Sequence, residues 1–353
     1  MRHCLVLAGG SGTRLWPFST SAVPKQLVPL LQGRSLLDLA YARATSVVPA
    51  ERVWLGAGEQ LVEAVTQVEG LRPDRLVVEP SGRDTLPAVA LGCAVLAAAD
   101  PDAVVAVLTA DHLIEPLEEF AATLERAFAL AEERADTLVT FGVVPDSPAT
   151  GFGYLELGAP LAGQDPGQAR TVARFREKPD LASAQLLLDQ GALWNSGMFV
   201  WQARTLLEAV ATYAPETASL VQRVAGGDRA AWEQVPRQSV DYGVMEPAST
   251  SDRFTVAALP LAARWLDVGS WPAYATALGR DADGNAVQGR TVLQGSTDCV
   301  VASSEDGHLL ALVGCEGLVV VHTPTATLVM PADQAQRVKD LHAQVVLQAP
   351  ELA

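Results

Sequence analysis

The first 143 residues alternate between short apolar runs and longer segments with helical spacing. The predicted strands are residues 4–7, 53–55, 76–78, 104–108 and 138–141, and the predicted helices lie near 35–48, 59–66, 87–99 and 117–134. Strands that alternate with helices form a mostly parallel, doubly wound α/β sheet, which binds its ligands at the carboxyl ends of the strands. We therefore expect the functional residues of this region to follow directly after strands.

The pattern changes twice beyond that region. From about 145 to 280 it loosens into loops, shorter strands and two helices, which we predict to be built onto the same sheet. After Gly284 come short β-rich runs at 291–293, 299–301, 309–312, 318–321 and 327–329, followed by a helix over about 333–348. Because 353 residues exceed the size at which one core keeps growing, we predict two domains, a large one over 1–282 and a small β-rich one over 283–353.

Composition excludes several classes of protein. No apolar run approaches the roughly 18 residues that a membrane helix needs, and the apolar stretch at the N-terminus is too short for a signal peptide, so we expect a cytoplasmic protein without a membrane partner. The formal net charge of −16 opposes nucleic-acid binding, which needs a basic face against the phosphates. A small phosphorylated substrate is compatible with this charge if cations are concentrated locally.

Cysteine and histidine spacing argues against a structural metal or a disulfide framework. The four cysteines show no C-x-x-C spacing, and we expect them in the core. The five histidines form no ligand pair along the sequence, and His308, His322 and His342 are too scattered to suggest a metal cluster. The sequence therefore predicts neither a disulfide nor a zinc site.

A glycine-rich turn follows the first predicted strand, with the sequence Gly-Gly-Ser-Gly-Thr-Arg-Leu-Trp-Pro from Gly9 to Pro17 and then Pro-Lys-Gln around Lys25. Glycines let the backbone approach a phosphate, and successive N–H groups can form an anion-binding nest. A dinucleotide fingerprint needs Gly or Ala where this chain has Leu15, and the Gly-Lys-Ser/Thr of a Walker loop does not occur. The cations of Arg14 and Lys25 beside the turn favour a polyphosphate ligand over a purely structural turn.

Lysine is rare in this chain. Of 25 basic residues only Lys25, Lys178 and Lys339 are lysine. Lys25 stands beside the glycine-rich turn, and Lys178 stands in the run Glu-Lys-Pro at 177–179. A lysine kept among arginines indicates a site that needs a compact ammonium rather than a planar fork, although chance placement is the alternative.

Eight motifs in sequence order resemble those of the nucleoside-diphospho-sugar pyrophosphorylases, over roughly residues 3 to 275. The form of the glycine-rich turn is similar to that of the bacterial mannose-1-phosphate guanylyltransferases within this family. The chain departs from the family pattern at Asp84, usually Asn, at Leu86, usually Ala, and at Thr109, usually Pro. The motifs are the segments 7–26, 79–88, 109–112, 150–154, 175–179, 194–199, 241–246 and 265–271.

The resemblance implies that a sugar-1-phosphate oxygen attacks the α-phosphorus of a nucleoside triphosphate and releases pyrophosphate. It implies GTP and mannose-1-phosphate as substrates, Mg²⁺ as cofactor and a homodimer whose contacts use the β-rich tail as a short left-handed β-helix. Two alternatives stay open: the same chemistry on another pair, such as glucose-1-phosphate with UTP or dTTP, and a catalytically silent nucleotide-sugar sensor. Some relatives carry a further isomerase domain, for which this chain has no room, so we expect a single activity.

The resemblance also assigns roles to residues. We expect Asp111 and Asp267 to bind the metal, and Arg14, Lys25, Asp111, Lys178 and Asp267 to be the catalytic group. Asp84 has a second interpretation as a helix N-cap, His112 is expected to be structural, and Asp241 and Glu246 are weaker candidates. The predicted nucleotide-binding residues are Ala8, Gly9, Gly10, Ser11, Gly12, Thr13, Arg14, Glu79, Ser81, Arg83, Asp84, Thr85 and Asp111, and the predicted sugar-phosphate-binding residues are Gly153, Tyr154, Glu177, Lys178, Asn195 and Gly197.

Overall fold

The computed structural model describes residues 1–10, 12–20, 23–31, 33–161 and 169–352. The chain forms two compact units. One, the sheet unit, contains Met1–Gly9, Ala40–Thr109 and Ile114–Trp265. The other, the tail unit, contains Gly10–Leu39, Ala110–Leu113 and Leu266–Ala353. The domain boundary near 282 stays a prediction from sequence.

The secondary structure alternates as expected in the first part of the chain and becomes β-rich at the end. The strands are β1 Arg2–Leu7, β2 Val53–Gly58, β3 Leu76–Glu79, β4 Val104–Thr109, β5 His112–Glu115, β6 Thr137–Val143, β7 Tyr154–Pro160, β8 Arg170–Arg176, β9 Leu193–Gln202, β10 Thr255–Pro260, β11 Arg264–Asp267, β12 Ala286–Gln288, β13 Arg290–Gln294, β14 Val300–Ser303, β15 Leu309–Val313, β16 Leu318–His322 and β17 Thr327–Pro331. The helices are α1 Leu36–Thr45, α2 Val62–Val65, α3 Thr85–Ala99, α4 Leu117–Glu133, α5 Leu181–Asp189, α6 Ala203–Tyr213, α7 Pro215–Ala225, α8 Glu246–Ser249, α9 Trp271–Leu278 and α10 Val338–Gln348.

The sheet unit is built on a nine-stranded sheet in the order β3-β2-β1-β4-β9-β6-β10-β8-β7. Strands β3, β2, β1 and β4 are parallel, and β10 is parallel to β6. Strand β9 runs antiparallel to both β4 and β6, and β7 and β8 also pair antiparallel. This is the predicted doubly wound α/β sheet, and in β1 and β4 the aligned ends Leu7 and Thr109 start their following loops at one edge of the sheet.

Helix α3 packs closely on one face of this sheet. The helix is apolar nearly all round, and its side chains from Leu86 to Cys93 are buried against the sheet. A β-carbon at Gly92 would lie 2.3 Å from Leu5 Cδ2, so the missing side chain lets α3 approach β1 closely. Residues of α6 and α7 complete the same core around Trp201 and Trp232.

The segment 145–280 differs from the sequence-based expectation. We predicted two helices there, whereas the described residues include α5, α6, α7 and α9, each of eight residues or more. Helices α6 and α7 are short and amphipathic, and a single residue, Ala214, separates them. With only one residue between them, no polar loop marks the boundary between these two helices in the sequence.

The tail unit contains a β-helix-like arrangement. Strand β14 pairs in parallel with β12 and with β16, and β13 pairs in parallel with β15, so strands stack on those one rung away. The last strand, β17, returns antiparallel to β16. The five predicted β runs after Gly284 are all strands.

One buried core holds the tail unit together. It joins Leu15 and Trp271, from the early and middle parts of the chain, to Val300, Val319 and Val338 from the end. Trp271 is fully buried, makes edge contacts with Phe18 at 5.2 Å and donates from its indole nitrogen to the backbone oxygen of Trp16. Within the described residues, no helix is both long and apolar enough to cross a membrane.

Candidate active site

Two carboxylates that are far apart in sequence meet in the tail unit. Asp111 lies in the turn between β4 and β5, and Asp267 ends β11. Strands β5 and β11 pair in a small two-stranded sheet, which brings both acids to one place. Ligand atoms of Asp111, His112 and Asp267 all lie within 4.8 Å of one another. Asp111 does not cap α4, whose N-cap is Pro116.

The ammonium of Lys25 lies between these carboxylates. Its Nζ is 2.9 Å from Asp111 Oδ2 and 3.6 Å from Asp267 Oδ1, and it also donates to the backbone oxygen of Val268. The side chain of Lys25 is buried, and a β-carbon at Gly12 would lie 2.6 Å from its Cβ and Cγ. Gly12, with φ +60°, is therefore needed for the close packing of Lys25 as well as for the turn.

The electrostatics of this group favour a bound cation. Burial by itself would raise the pKa of Asp111, but the charges of His112 and Lys25 outweigh it and hold that pKa below its usual range. Within the part of the chain that the structure describes, Asp267 Oδ1 is buried and accepts no hydrogen bond, although the Lys25 ammonium lies 3.6 Å away. Two neighbouring carboxyl groups, one of them with an unsatisfied buried oxygen, fit the oxygen-ligand preference of Mg²⁺.

Arg14 follows the glycine-rich turn on the same unit. Its guanidinium is exposed and lies 3.5 Å from Gln336 Oε1. The other terminal nitrogen, Nη2, lies close to Gly269, which is near Asp267 in the same turn. A β-carbon added at Gly269 would be 3.5 Å from this Nη2 and 3.1 Å from Asp267 Oδ1. Arg14 therefore reaches the turn that carries Asp267 and can contribute positive charge there.

A second polar cluster lies in the sheet unit, after β8 and on β9. Lys178 Nζ is 2.7 Å from Glu177 Oε1, and Asn195 donates from Nδ2 to Asp241 Oδ1 at 2.9 Å. Thr140 donates to Asn195 Oδ1 at 2.8 Å. The side chain of Glu177 is 7% exposed and that of Lys178 58% exposed, so the lysine carries the reachable charge. The two adjacent charges thus pair with each other instead of pointing to opposite faces, because Lys178 has a left-handed backbone, with φ +43°.

The acids of this cluster repel one another. Burial, and then the negative charge of Glu177, raise the pKa of Asp241 to about 7. Burial would lower the pKa of Lys178, but the hydrogen bond and charge of Glu177 raise it above its usual value. The cluster therefore combines a permanent ammonium with a carboxyl group that titrates near neutral pH.

The structure also places the other predicted sugar-phosphate residues. A β-carbon at Gly153 would lie 2.6 Å from Glu177 Oε2, so this glycine makes room for a protein carboxylate. Tyr154 is fully buried and donates to the backbone oxygen of Ala149, so its side chain would act only indirectly on a ligand. Both ends of the Asn195 amide already have protein partners, and Gly197 has φ +70°.

The predicted nucleotide-reading segment is anchored within the sheet unit. Asp84 is the N-cap residue of α3, and its side chain accepts from the backbone N–H of Thr85, the first residue of the helix, at 2.7 Å. Arg83 pairs with Glu233 at 2.8 Å, and Thr85 Oγ1 accepts from a backbone N–H. Burial raises the pKa of Glu79 to about 7. The backbone oxygen of Ser81 accepts from the Trp232 indole.

The remaining predicted nucleotide-binding residues belong to the glycine-rich turn. Ala8 is buried and Gly9 exposed after β1 in the sheet unit. Gly10 has φ +102°, and Thr13 opens a short 3₁₀ turn in the tail unit. Ser11 lies outside the described residues.

Two residues have more prominent places than the sequence analysis gave them. His112 was expected to be structural, and its Nε2 lies 3.7 Å from Asp111 Oδ1, among the potential metal ligands. Thr140 was not singled out, although its hydroxyl orients Asn195. The sequence does not mark Thr140 as functional, because threonine is common in buried β-strands for packing reasons alone.

Family models cover most of the chain. Residues 3–284 match the model described as nucleotidyl transferase. Residues 289–345 match the model described as MannoseP isomerase/GMP-like beta-helix domain, which agrees with the parallel rungs of the tail unit.

Curated relatives and solved structures point in the same direction. The chain is 37% identical to the xanthan biosynthesis protein XanB of Xanthomonas campestris, over 97% of this chain and 72% of that protein. It is 36% identical to the mannose-1-phosphate guanylyltransferase of Escherichia coli K12, over 97% of this chain and 73% of that protein. The crystal structure named mannose-1-phosphate geranyltransferase, from Thermus thermophilus, superposes with a TM-score of 0.87 at 32% identity and covers 98% of this chain and 99% of its own.

Proposed function

The chain belongs to the nucleotidyl transferase family and is a nucleotidyltransferase, and we propose that it converts GTP and α-D-mannose 1-phosphate to GDP-mannose and pyrophosphate. The observation that supports this reaction at specific residues is the group formed by Lys25, Asp111 and Asp267. The proposed substrates rest on the relatives named mannose-1-phosphate guanylyltransferase, at about one-third identity over nearly the whole chain.

The proposed reaction needs no proton transfer to or from a protein side chain. A phosphate monoester has its second pKa near ~6, so the attacking oxygen of the sugar phosphate is already ionised at neutral pH and needs no general base. That oxygen forms a bond to the α-phosphorus as the bond to the β-phosphate oxygen breaks, and pyrophosphate leaves with the electron pair. One phosphoanhydride replaces another, so the reaction is reversible. The protein must neutralise charge and hold the reactants in line.

The tail-unit residues supply that neutralisation for the triphosphate. Asp111 and Asp267 would hold Mg²⁺, which supplies positive charge against the phosphate oxygens. Lys25 is fixed between both acids by its packing on Gly12, so its ammonium keeps the two carboxylates from separating. Arg14, exposed at the end of the glycine-rich turn, adds a guanidinium for the phosphates.

The sheet-unit cluster supplies the contacts for the sugar phosphate. The ammonium of Lys178 is exposed enough to meet a phosphate, and the buried carboxylate of Glu177 can accept from sugar hydroxyls. Asn195, held by Thr140 and Asp241, acts as a positioning residue for this cluster. Gly153 leaves room for the Glu177 carboxylate, since it carries no side chain, and Gly197 allows the left-handed backbone beside Asn195.

A pyrophosphate-release assay that crosses GTP, ATP, UTP and dTTP with mannose-1-phosphate and glucose-1-phosphate tests the proposal. We expect GTP with mannose-1-phosphate to give the highest kcat/KM. A tenfold preference for UTP or dTTP would refute the guanine assignment and leave the reaction class intact. No release with any pair would favour a catalytically silent sensor instead.

A homodimer through the tail unit is the proposed assembly. Three large apolar side chains are exposed on the paired strands β13 and β15, namely Val292, Leu309 and Val313. An exposed apolar strand face is a common protein–protein contact. Sedimentation of the wild type and of Val313→Asp distinguishes a dimer through this face from a monomer.

A further inference from the structure

A group of potential metal ligands lies in the tail unit, in addition to the Asp111–Asp267 site. Glu305, His308 and His322 place their ligand atoms within 4.8 Å of one another. The sequence analysis took His308, His322 and His342 as too scattered for a metal cluster, whereas the fold brings His308 and His322 together. The parallel rungs stack the turn after β14 beside the end of β16, and sequence spacing does not reveal that neighbourhood.

Backbone hydrogen bonds fix the positions from which these side chains extend. Ser303 aligns with His322 across β14 and β16, and the Ser304 N–H donates to the His322 backbone oxygen at 3.0 Å. The His308 N–H donates to the Glu305 backbone oxygen at 3.2 Å, which closes the turn that carries both residues. Ser303 Oγ accepts from the Glu305 N–H at 3.1 Å. The turn and the strand end are thus held in one arrangement.

The ring of His322 is oriented as a metal ligand usually is. Its Nδ1 lies 2.9 Å from the hydroxyl of Thr327, its partner across β16 and β17. The Thr327 hydroxyl holds the ring in place and, when it accepts from Nδ1–H, leaves Nε2 unprotonated for a metal, as second-shell partners of metal-bound histidines do. That other nitrogen, Nε2, faces Glu305 Oε2 at 3.2 Å.

His308 stacks on His322, with ring centroids 3.7 Å apart and planes inclined by 18°. Parallel rings do not aim both lone pairs at one point, so His308 must turn to coordinate. Because His308 is exposed, that turn meets little steric resistance.

We propose that Glu305, His308 and His322 bind one divalent transition-metal ion, with Zn²⁺ the best match. Two imidazole nitrogens and one carboxylate form a known zinc ligand set with a fourth position for water. Nitrogen ligands disfavour Mg²⁺, which prefers oxygen, so this cluster and the Asp111–Asp267 pair would take different metals from one solution. The bound ion would tie the turn after β14 to the end of β16.

Co²⁺ titration in excess Mg²⁺ tests the proposal, because tetrahedral Co²⁺ absorbs visible light and Mg²⁺ occupies oxygen sites. We expect one equivalent of Co²⁺ per chain, displaced by Zn²⁺. His308→Gln and His322→Gln should each weaken binding at least tenfold, and Thr327→Val should weaken it by about 10- to 100-fold through the lost hydrogen bond. His342→Gln is the matched control, and Asp267→Asn should leave the Co²⁺ signal unchanged.

Several outcomes overturn the proposal. They are a wild-type chain that binds no Co²⁺ in excess Mg²⁺, a signal that survives both His308→Gln and His322→Gln, and a signal lost in Asp267→Asn. Because His308 is exposed, His308→Gln should fold like the wild type, and metal-free thermal unfolding checks this. Loss of turnover is not a readout, so a failed proposal here is distinguishable from a failed assignment of the reaction.

Discussion

Lys25 links the two acids of the proposed metal site, and its burial gives each acid a fixed neighbour. The carboxylates of Asp111 and Asp267 are 29% and 27% exposed, so they are open to a ligand while Lys25 is not. Substituting either acid should remove charge without leaving a large cavity. The effect should therefore fall on the reaction and leave the fold intact.

Asp111→Asn and Asp267→Asn are each expected to lower kcat by on the order of 10²-fold or more, since each removes preorganised charge stabilisation. The double variant should be scarcely worse than the worse single one, because the two acids would act on one ion. Turnover measured against Mg²⁺ concentration checks this, with Asp102→Asn, an exposed acid, as control. Multiplicative losses with unchanged Mg²⁺ dependence would contradict a shared ion.

Lys178→Arg is expected to raise KM for the sugar phosphate and to leave KM for the nucleotide largely unchanged. The guanidinium keeps the charge, but its planar fork does not reproduce a compact ammonium paired with Glu177 on a left-handed backbone. Steady-state kinetics in both substrates measures the effect, and Lys339→Arg in α10 is the matched control. Equal weakening of both substrates would place Lys178 elsewhere in the reaction.

Asp241 is expected to make the folded state less stable as pH rises. Its pKa is about 7 in the folded chain and near ~3.9 when unfolded, so between these values the folded state holds a proton that the unfolded state has released. Stability should therefore fall between about pH 4 and 7, with a slope of up to ~1.4 kcal/mol per pH unit from this group.

Urea unfolding of the wild type and Asp241→Asn at pH 5.5 and 7.5 measures that slope. The substitution should reduce the loss of stability at pH 7.5, because the amide cannot ionise. Glu79, whose pKa burial also raises to about 7, contributes a slope of the same sign that Glu79→Gln should remove. An unchanged pH profile in Asp241→Asn would mean that Asp241 is ionised throughout this range.

The start of helix α3 depends on Asp84, the last residue of the loop before it. The helix begins at Thr85, and its N-cap, Asp84, has φ +68° and ψ −177°, a strained backbone conformation that residues other than glycine rarely adopt. The hydrogen bond to the Thr85 N–H explains a short polar side chain at this position, whereas the backbone conformation alone would favour glycine.

Asp84→Asn should keep both the cap and the backbone, so turnover is expected within a few-fold of the wild type and nucleotide preference unchanged. Asp84→Ala loses the acceptor and should cost about 1 kcal/mol or more in the free energy of unfolding. Urea unfolding and the crossed nucleotide assay check the two variants. A changed base preference in Asp84→Asn would assign Asp84 to the nucleotide rather than to the cap.

At the scale of the whole molecule, the tail unit unites segments that are separated in sequence. Its core packs Leu15 and Trp271 with Val300, Val319 and Val338, and the Trp16 indole donates to the backbone oxygen of Leu352. The loop that carries Arg14 and the turn that carries Asp267 therefore share a core with the final strands and helix. Stability of the proposed metal site should depend on residues far beyond the last sequence motif.

A chain that ends at residue 282 should lose turnover, although it keeps every predicted catalytic residue. Removal of 283–353 exposes the apolar surface of Leu15 and Trp271, so the turns beside them lose their support. In the full chain, Val319→Ala should destabilise by roughly 1–3 kcal/mol, and Val329→Ala, on an exposed position, by less than ~0.5 kcal/mol. Full turnover by the shortened chain would show that 1–282 is independent.

The sequence by itself determined what depends on neighbouring residues. The apolar run at 104–108 and the helical spacing at 117–134 match β4 and α4 closely, because strand and helix periods are local properties. The Asp84 cap was predictable for the same reason, since donor and acceptor are adjacent residues. The family motifs identified the reaction and the acids of the proposed site.

Tertiary structure alone decided which distant side chains meet. Pairing of β5 with β11 brings Asp111 to Asp267, and stacking of β14 on β16 brings Glu305 to His322. Burial beside Glu177 sets the pKa of Asp241, and packing on Lys25 explains Gly12. These features depend on strand pairing and on the charges of residues that are remote in sequence. The spacing of residues along the sequence therefore does not predict them.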